Sequence, residues 1–168
     1  TSEGGGVRAA SSGEPITGFR AGHLLADGEP WHFTGAMIID DALKPDDARS
    51  ETTRKFINER WQNTFRSRLA DESIPVIVIM QRLHIDDFVA HVLATSGEKW
   101  HVLKLPILID GECEPVSENA IMIPHGLPNG TQKDKKHTLE QINILKLSPG
   151  VFAGQYMQEP VTDGGNLF

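Results

Sequence analysis

Two short, uninterrupted apolar runs constrain this chain more than any other feature. Ala36 to Ile39 ends abruptly in Asp40-Asp41, and Ile74 to Met80 (IPVIVIM) ends in Gln81-Arg82. A run that is apolar at every position and rich in β-branched residues fits a strand covered on both faces, the usual state of strands in parallel sheets. Between the two runs, from about Ala48 to Leu69, the period changes. Ile57, Trp61, Phe65 and Leu69 recur every four residues and share one helical face, while Arg54, Asn58, Glu59, Gln62 and Arg66 fall elsewhere on the wheel. After the second run, Asp86 is placed to cap a short helix carrying Phe88, Val89, Val92 and Leu93. Trp100 to Leu105 then reads as a third strand, stopped by Pro106. Strand, helix, strand, helix, strand predicts an α/β fold: one parallel sheet with crossover helices.

The flanking segments carry weaker signals. Residues 1–15, rich in Gly and Ser, predict a flexible N-terminal segment. Residues 106–136 predict a long connection with few periodic signals. Thr138 is a helix cap with Glu140 and Gln141 in the first turn, and Val151 to Met157 predicts one more short helix. The 168 residues suffice for a single core. The net charge of -7 argues against a dedicated nucleic-acid binder, although six of the 16 Lys and Arg fall within residues 49–68. One cysteine, Cys113, excludes an internal disulfide and a cysteine-rich zinc site, and fits a reducing compartment. No apolar run approaches the roughly 18 residues that span a bilayer, and the start lacks the apolar core of a secretory signal. A cytoplasmic location without membrane partners is the expectation.

In parallel α/β sheets ligands bind at the carboxyl ends of the strands, so the two polar strand tips are the candidate site. An apolar strand running into an acidic pair is the Walker B arrangement. The first carboxylate, Asp40, would hold Mg²⁺ beside nucleotide phosphates, and the second, Asp41, would polarise the attacking water. The bland alternative is a pair of turn or helix-capping aspartates. Gln81, ending the neighbouring strand, is placed to sense a γ-phosphate, and Arg82 to couple hydrolysis to motion. The alternative is a strand-end hydrogen bond and a surface arginine. Arg20, in the glycine-flanked T-G-F-R-A-G, can act as an arginine finger or be a surface residue. His84, His91 and His101 have no metal-ligand spacing, and Trp31, Trp61 and Trp100 read as packing residues.

Taken in order, GAMIIDDALKPDDARSE, RSRLADESIPVIVIMQRLHIDDF, GEKWHVLKLPIL, KHTLEQI and FAGQYMQEPVTDGGNLF resemble the motor portion of phage and prophage large terminase subunits, over nearly all of residues 12–168. The shared pattern is an upstream G-x-R, a Walker B ending in IIDD, R-x-H-x-D-D after the next strand, and a closing Q-Y-x-Q-x-P with glycines. The resemblance implies a partial P-loop NTPase fold of the additional-strand type over residues 16–158, with residues 159–168 a linker toward a nuclease domain. It implies ATP hydrolysis coupled to DNA translocation, Mg²⁺ and ATP as cofactors, and double-stranded DNA, the portal protein and the small terminase subunit as partners. Asp40 would take the Mg²⁺ role and Asp41 the catalytic one. Gln81, Arg82 and His84 would form the coupling motif, and Arg20 would reach a neighbouring subunit's nucleotide.

Two departures stand out. G-x-x-x-x-G-K-[ST] is absent from the sequence, so nothing here cradles the β- and γ-phosphates; the family's loop would lie ahead of Thr1. Asp41 replaces a glutamate seen in many motors. The expectation is therefore a chain inactive alone, with an open sheet edge that invites self-association. Two further readings stand beside it: a non-catalytic prophage remnant serving as an assembly module, and another additional-strand ATPase. The Q-Y-M-Q-E-P segment speaks against the second.

Overall fold

The structure, a computed structural model, describes residues 6–11, 14, 16, 18–111, 113–130 and 137–162. Parts of the expected flexible segment (1–5, 12, 13 and 15) and of the expected linker (163–168) lie outside the described residues.

Both apolar runs form strands: β1 is Met37–Asp40 and, after the first helix, β2 is Val76–Ile79. They pair in parallel, with Met37 opposite Val76 and Asp40 opposite Ile79. One face of this pair is buried. Met37, Ile39, Val76, Val78 and Met80 pack on a core of Leu43, Ala48, Ile57, Trp61, Phe65, Phe88 and Val92. The other face is open: Ile38, Ile77 and Ile79 are 63%, 44% and 54% exposed. The sequence pattern called for cover on both sides, and the described chain covers only one.

The connecting helix is capped by Ser50, whose Oγ accepts from Thr53 N at 3.2 Å. It runs as an α-helix over Glu51–Arg60 (α1), widens to a π turn over Trp61–Phe65 and tightens over Arg66–Arg68. The four-residue spacing of its apolar side chains accounts for the widening. Four residues overshoot an α-helical turn by about 0.4 residue, so a strictly four-spaced stripe drifts around a regular helix. A wider turn cancels that drift and keeps Ile57, Trp61 and Phe65 all buried. Arg54, expected off the apolar face, is buried as well, because its Nη1 donates to Ala48 O at 2.6 Å and closes the turn before the helix.

α2 (Phe88–Thr95) is capped by Asp87, not by Asp86 as expected. Asp87 Oδ1 accepts from Ala90 N at 3.0 Å. β3 (Trp100–Val102) does not join the first sheet, which corrects the expected single sheet. It pairs in parallel with β4 (Ala120–Met122), a strand inside the stretch expected to be a plain connection. Its backbone is satisfied there, with Trp100 N donating to Asn119 O at 2.9 Å and Ile123 N to Val102 O at 2.8 Å. The side chain of Trp100 turns back to Trp61, ring centroids 5.6 Å apart, and joins the second sheet to the core.

α3 (Leu139–Leu145) opens with a capping box between Thr138 and Gln141. The last helical segment begins at α4 (Pro149–Val151) and continues as a second wide turn over Phe152–Tyr156. Among the described residues the fold is thus α/β with two small parallel sheets. No helix among the described residues is long and apolar enough to cross a membrane.

Candidate functional site

The strand register puts the acidic and amide tips on one rim. Asp40 ends β1 opposite Ile79, and Asp41 N donates to Ile79 O at 2.8 Å, extending the ladder one residue past the strand. Gln81 follows two residues beyond Ile79. Alternation puts Asp40 on the same face as Ile38, the open face. Asp40, Asp41 and Gln81 are all exposed, and among the described residues none of their side chains makes a cap or ion pair. Asp41 has a φ of 42°. A left-handed aspartate is uncommon, and it separates the two carboxylates by a kink in the backbone rather than by strand alternation.

Arg82 is anchored rather than loose. Its Nε donates to both carboxylate oxygens of Asp87, at 3.1 and 2.9 Å. Asp87 is fully buried. The same carboxylate accepts from Leu83 N at 3.0 Å as well as from Ala90 N, so one buried charge fixes the end of β2, the start of α2 and the Arg82 side chain. The Arg82 backbone N–H donates to Gln158 Oε1 at 3.1 Å, and Gln158 Nε2 donates to Gln155 O at 2.7 Å. A Cβ at Gly154 would lie 2.8 Å from Arg82 O, so only glycine lets residues 152–158 close over this strand end. Gln158 itself sits at φ 61°. Further along the same segment, Ile107 N donates to Tyr156 O at 2.8 Å, and Lys104 pairs with Glu159.

His84 Nδ1 accepts from Asp86 N at 3.0 Å, which holds the ring in a local turn beside Arg82. Arg20 is elsewhere. Its neighbour Ala21 bridges to Leu69 and Gly22 lies against Gly35 and Ile74, all on the side of the amino ends of β1 and β2. The structure therefore brings Asp40, Asp41, Gln81, Arg82 and His84 to one end of the sheet and leaves Arg20 at the other.

Beside the rim lies a cleft of about 680 Å³. The loop after β1 (Asp46, Arg49), the segment after β2 (Arg82, His84) and residues 148–162 form its walls. Asp87, Gln158, Gly154 and Arg49 did not emerge as site residues from the sequence. For Asp87 a signal existed, since the D-D of the R-x-H-x-D-D segment offers two adjacent caps for the helix that follows. For Gln158 and Gly154 there was none, because their partners lie far away in sequence.

Mg²⁺ in phosphoryl-transfer sites takes one or two carboxylates, with water and phosphate completing the octahedron, and Asp40 with Asp41 can supply that much. Among the described residues no group of three potential ligands gathers. No glycine-rich loop with its lysine is present for the phosphates. These residues do not suffice to hold Mg·ATP by themselves. Comparison with protein-family models, with curated proteins and with solved structures gave no match.

Proposed function

We propose that this chain supplies the acidic half of a nucleotide-hydrolysis site of the terminase motor type, with the phosphate-binding half contributed by sequence other than these residues. The observation that carries the reading is the parallel, in-register pairing of β1 and β2, which brings the Asp40-Asp41 tip and the Gln81 tip to one rim. Two features support it. Among the described residues both acids are exposed and make no cap or ion pair, which leaves their oxygens open to a metal. Asp41 is held in a left-handed backbone, a conformation that costs about 1–3 kcal/mol and gathers at functional sites. Arg82, braced by Asp87 and by Gln158, links the rim to the C-terminal segment and would pass a change at the nucleotide on to it. In this reading the assembled motor acts on double-stranded DNA, with portal and small-subunit partners.

The test is paramagnetic broadening by Mn²⁺ alone, which needs only the two carboxylates, followed on the backbone amides of the 168-residue chain. Broadening centred on Asp40, Asp41 and Gln81, and lost in Asp40→Ala, is the expected result. Broadening that ignores this rim defeats the reading. Measurable ATP turnover by the pure chain would defeat the half-site idea specifically. A second reading, a non-catalytic assembly module, is favoured by the missing phosphate-binding loop together with the open isoleucine face. The genomic frame ahead of Thr1 separates the two. An in-frame G-x-x-x-x-G-K-[ST] supports the motor, and a stop codon with no such frame nearby supports the module.

A further inference from the structure

The cleft beside the rim is built from groups that the proposed hydrolysis site does not fully use. We propose that it is a binding site for a small phosphate-bearing anion, held by Arg82, His84 and Arg49. This goes beyond the half-site reading and does not depend on Asp40 or Asp41, neither of which lines the cleft.

Its donors are unspent. Arg82 commits Nε to Asp87, while its two terminal nitrogens make no hydrogen bond among the described residues. The anchor is a fully buried carboxylate, so the guanidinium is oriented in advance and little rotamer freedom remains to be lost when a ligand arrives. His84 accepts at Nδ1 from Asp86 N, which puts the proton of the neutral ring on Nε2 and leaves that nitrogen a donor. The Arg49 side chain has no hydrogen bond or ion pair among the described residues, and it lines the same cleft. Against these stand one lining carboxylate, Asp46, and two carboxylates just behind the lining. Those two are Asp87 on Arg82 Nε and Asp86, whose Oδ2 lies 3.8 Å from His84 Nδ1, so the site selects by its free N–H donors rather than by a large net charge.

The ligand class follows from this balance. Two guanidinium groups and an imidazole N–H offer donors only, and a tetrahedral phosphate supplies more acceptor oxygens and more charge than a carboxylate. The volume of about 680 Å³ is that of a small-molecule site. Pro45, Pro149 and Pro160 stiffen the walls, so the cleft does not have to be formed by the ligand. A concave wall closed by residues 148–162 suits a free phosphate or polyphosphate group better than the backbone of a duplex.

The experiment titrates inorganic pyrophosphate into the whole chain at low salt, by calorimetry and by ¹⁵N correlation of the His84 ring and the Arg82 Nε. Saturable shifts at both are expected, and Arg49→Gln or His84→Gln should weaken binding roughly tenfold. Arg82 is left intact, because removing it would strand the buried Asp87. Asp40→Ala should leave the titration unchanged, which separates this site from the hydrolysis rim. A 12-base-pair duplex serves as the competing source of phosphate. A duplex that displaces pyrophosphate from these shifts overturns the proposal, as does the absence of saturable shifts at millimolar pyrophosphate.

Discussion

Asp87 concentrates more structure than any other single residue here. It receives the Arg82 guanidinium, two backbone N–H groups after β2 and the first turn of α2, all from full burial. Taking away one partner of a buried pair leaves the other charged and unpaired, at about 3–5 kcal/mol. Asp87→Ala is therefore expected to cost at least that much in urea unfolding, whereas Asp86→Ala, at an exposed position, should stay within about 0.5 kcal/mol. Equal effects of the two variants would remove Asp87 from its central place. His91 is a second residue with a measurable signature. Burial pushes its imidazole below the usual histidine range, with Glu59 pulling the other way. A lowered folded value means that the unfolded chain takes up the proton first on acidification. The contribution of His91 is thus whole above about pH 6.5 and shrinks as pH falls below it. His91→Gln should flatten the acid side of the stability profile below that pH and leave the neutral side parallel to the parent. A parallel offset across the whole range would rule this out.

At the level of elements, local chemistry and the parallel pairing of β1 with β2 were readable, and the more distant partnerships were not. β1 and β2 could be seen because an all-apolar run has few other uses. α3 could be seen because Thr138 and Gln141 spell a capping box. β4, only three residues long, offers no period to detect, and its strand character comes from pairing with β3. The choice of Asp87 over Asp86 turned on a single residue of register. The shared rim of Asp40 and Gln81 was legible because parallel strands carry their ends in one direction. The bracing of Arg82 by Gln158 depends on a contact across 76 residues and left no local trace. The widened turn at Trp61–Phe65 gives this scale its own test. Deleting Asn63 would convert the turn toward a regular helix and rotate Phe65 by about 100° away from Phe88, its edge-on partner at 6.1 Å. That deletion should destabilise by about 3–5 kcal/mol, comparable to Phe65→Ala, while Asn63→Ala, at an exposed position, should change little. Denaturant midpoints of the three variants decide it.

Across the whole molecule, the open face of the first sheet stands out. Ile38, Ile77 and Ile79 form an apolar strip on a parallel pair, the kind of sheet that is normally sandwiched. The chain is expected to self-associate with rising concentration in sedimentation runs, and Ile38→Thr with Ile77→Thr should shift it toward monomer without loss of fold. A monomer at every concentration would show that the strip is harmless in water. Gly154 and Gln158 matter at this scale too. They fasten the segment after α4 directly onto the tip of β2, 76 residues upstream. A tether of that kind is a load path. Tension applied beyond Thr162 would not be taken up by slack loop; it would arrive at Arg82, one residue from Gln81, and tug on the strand itself.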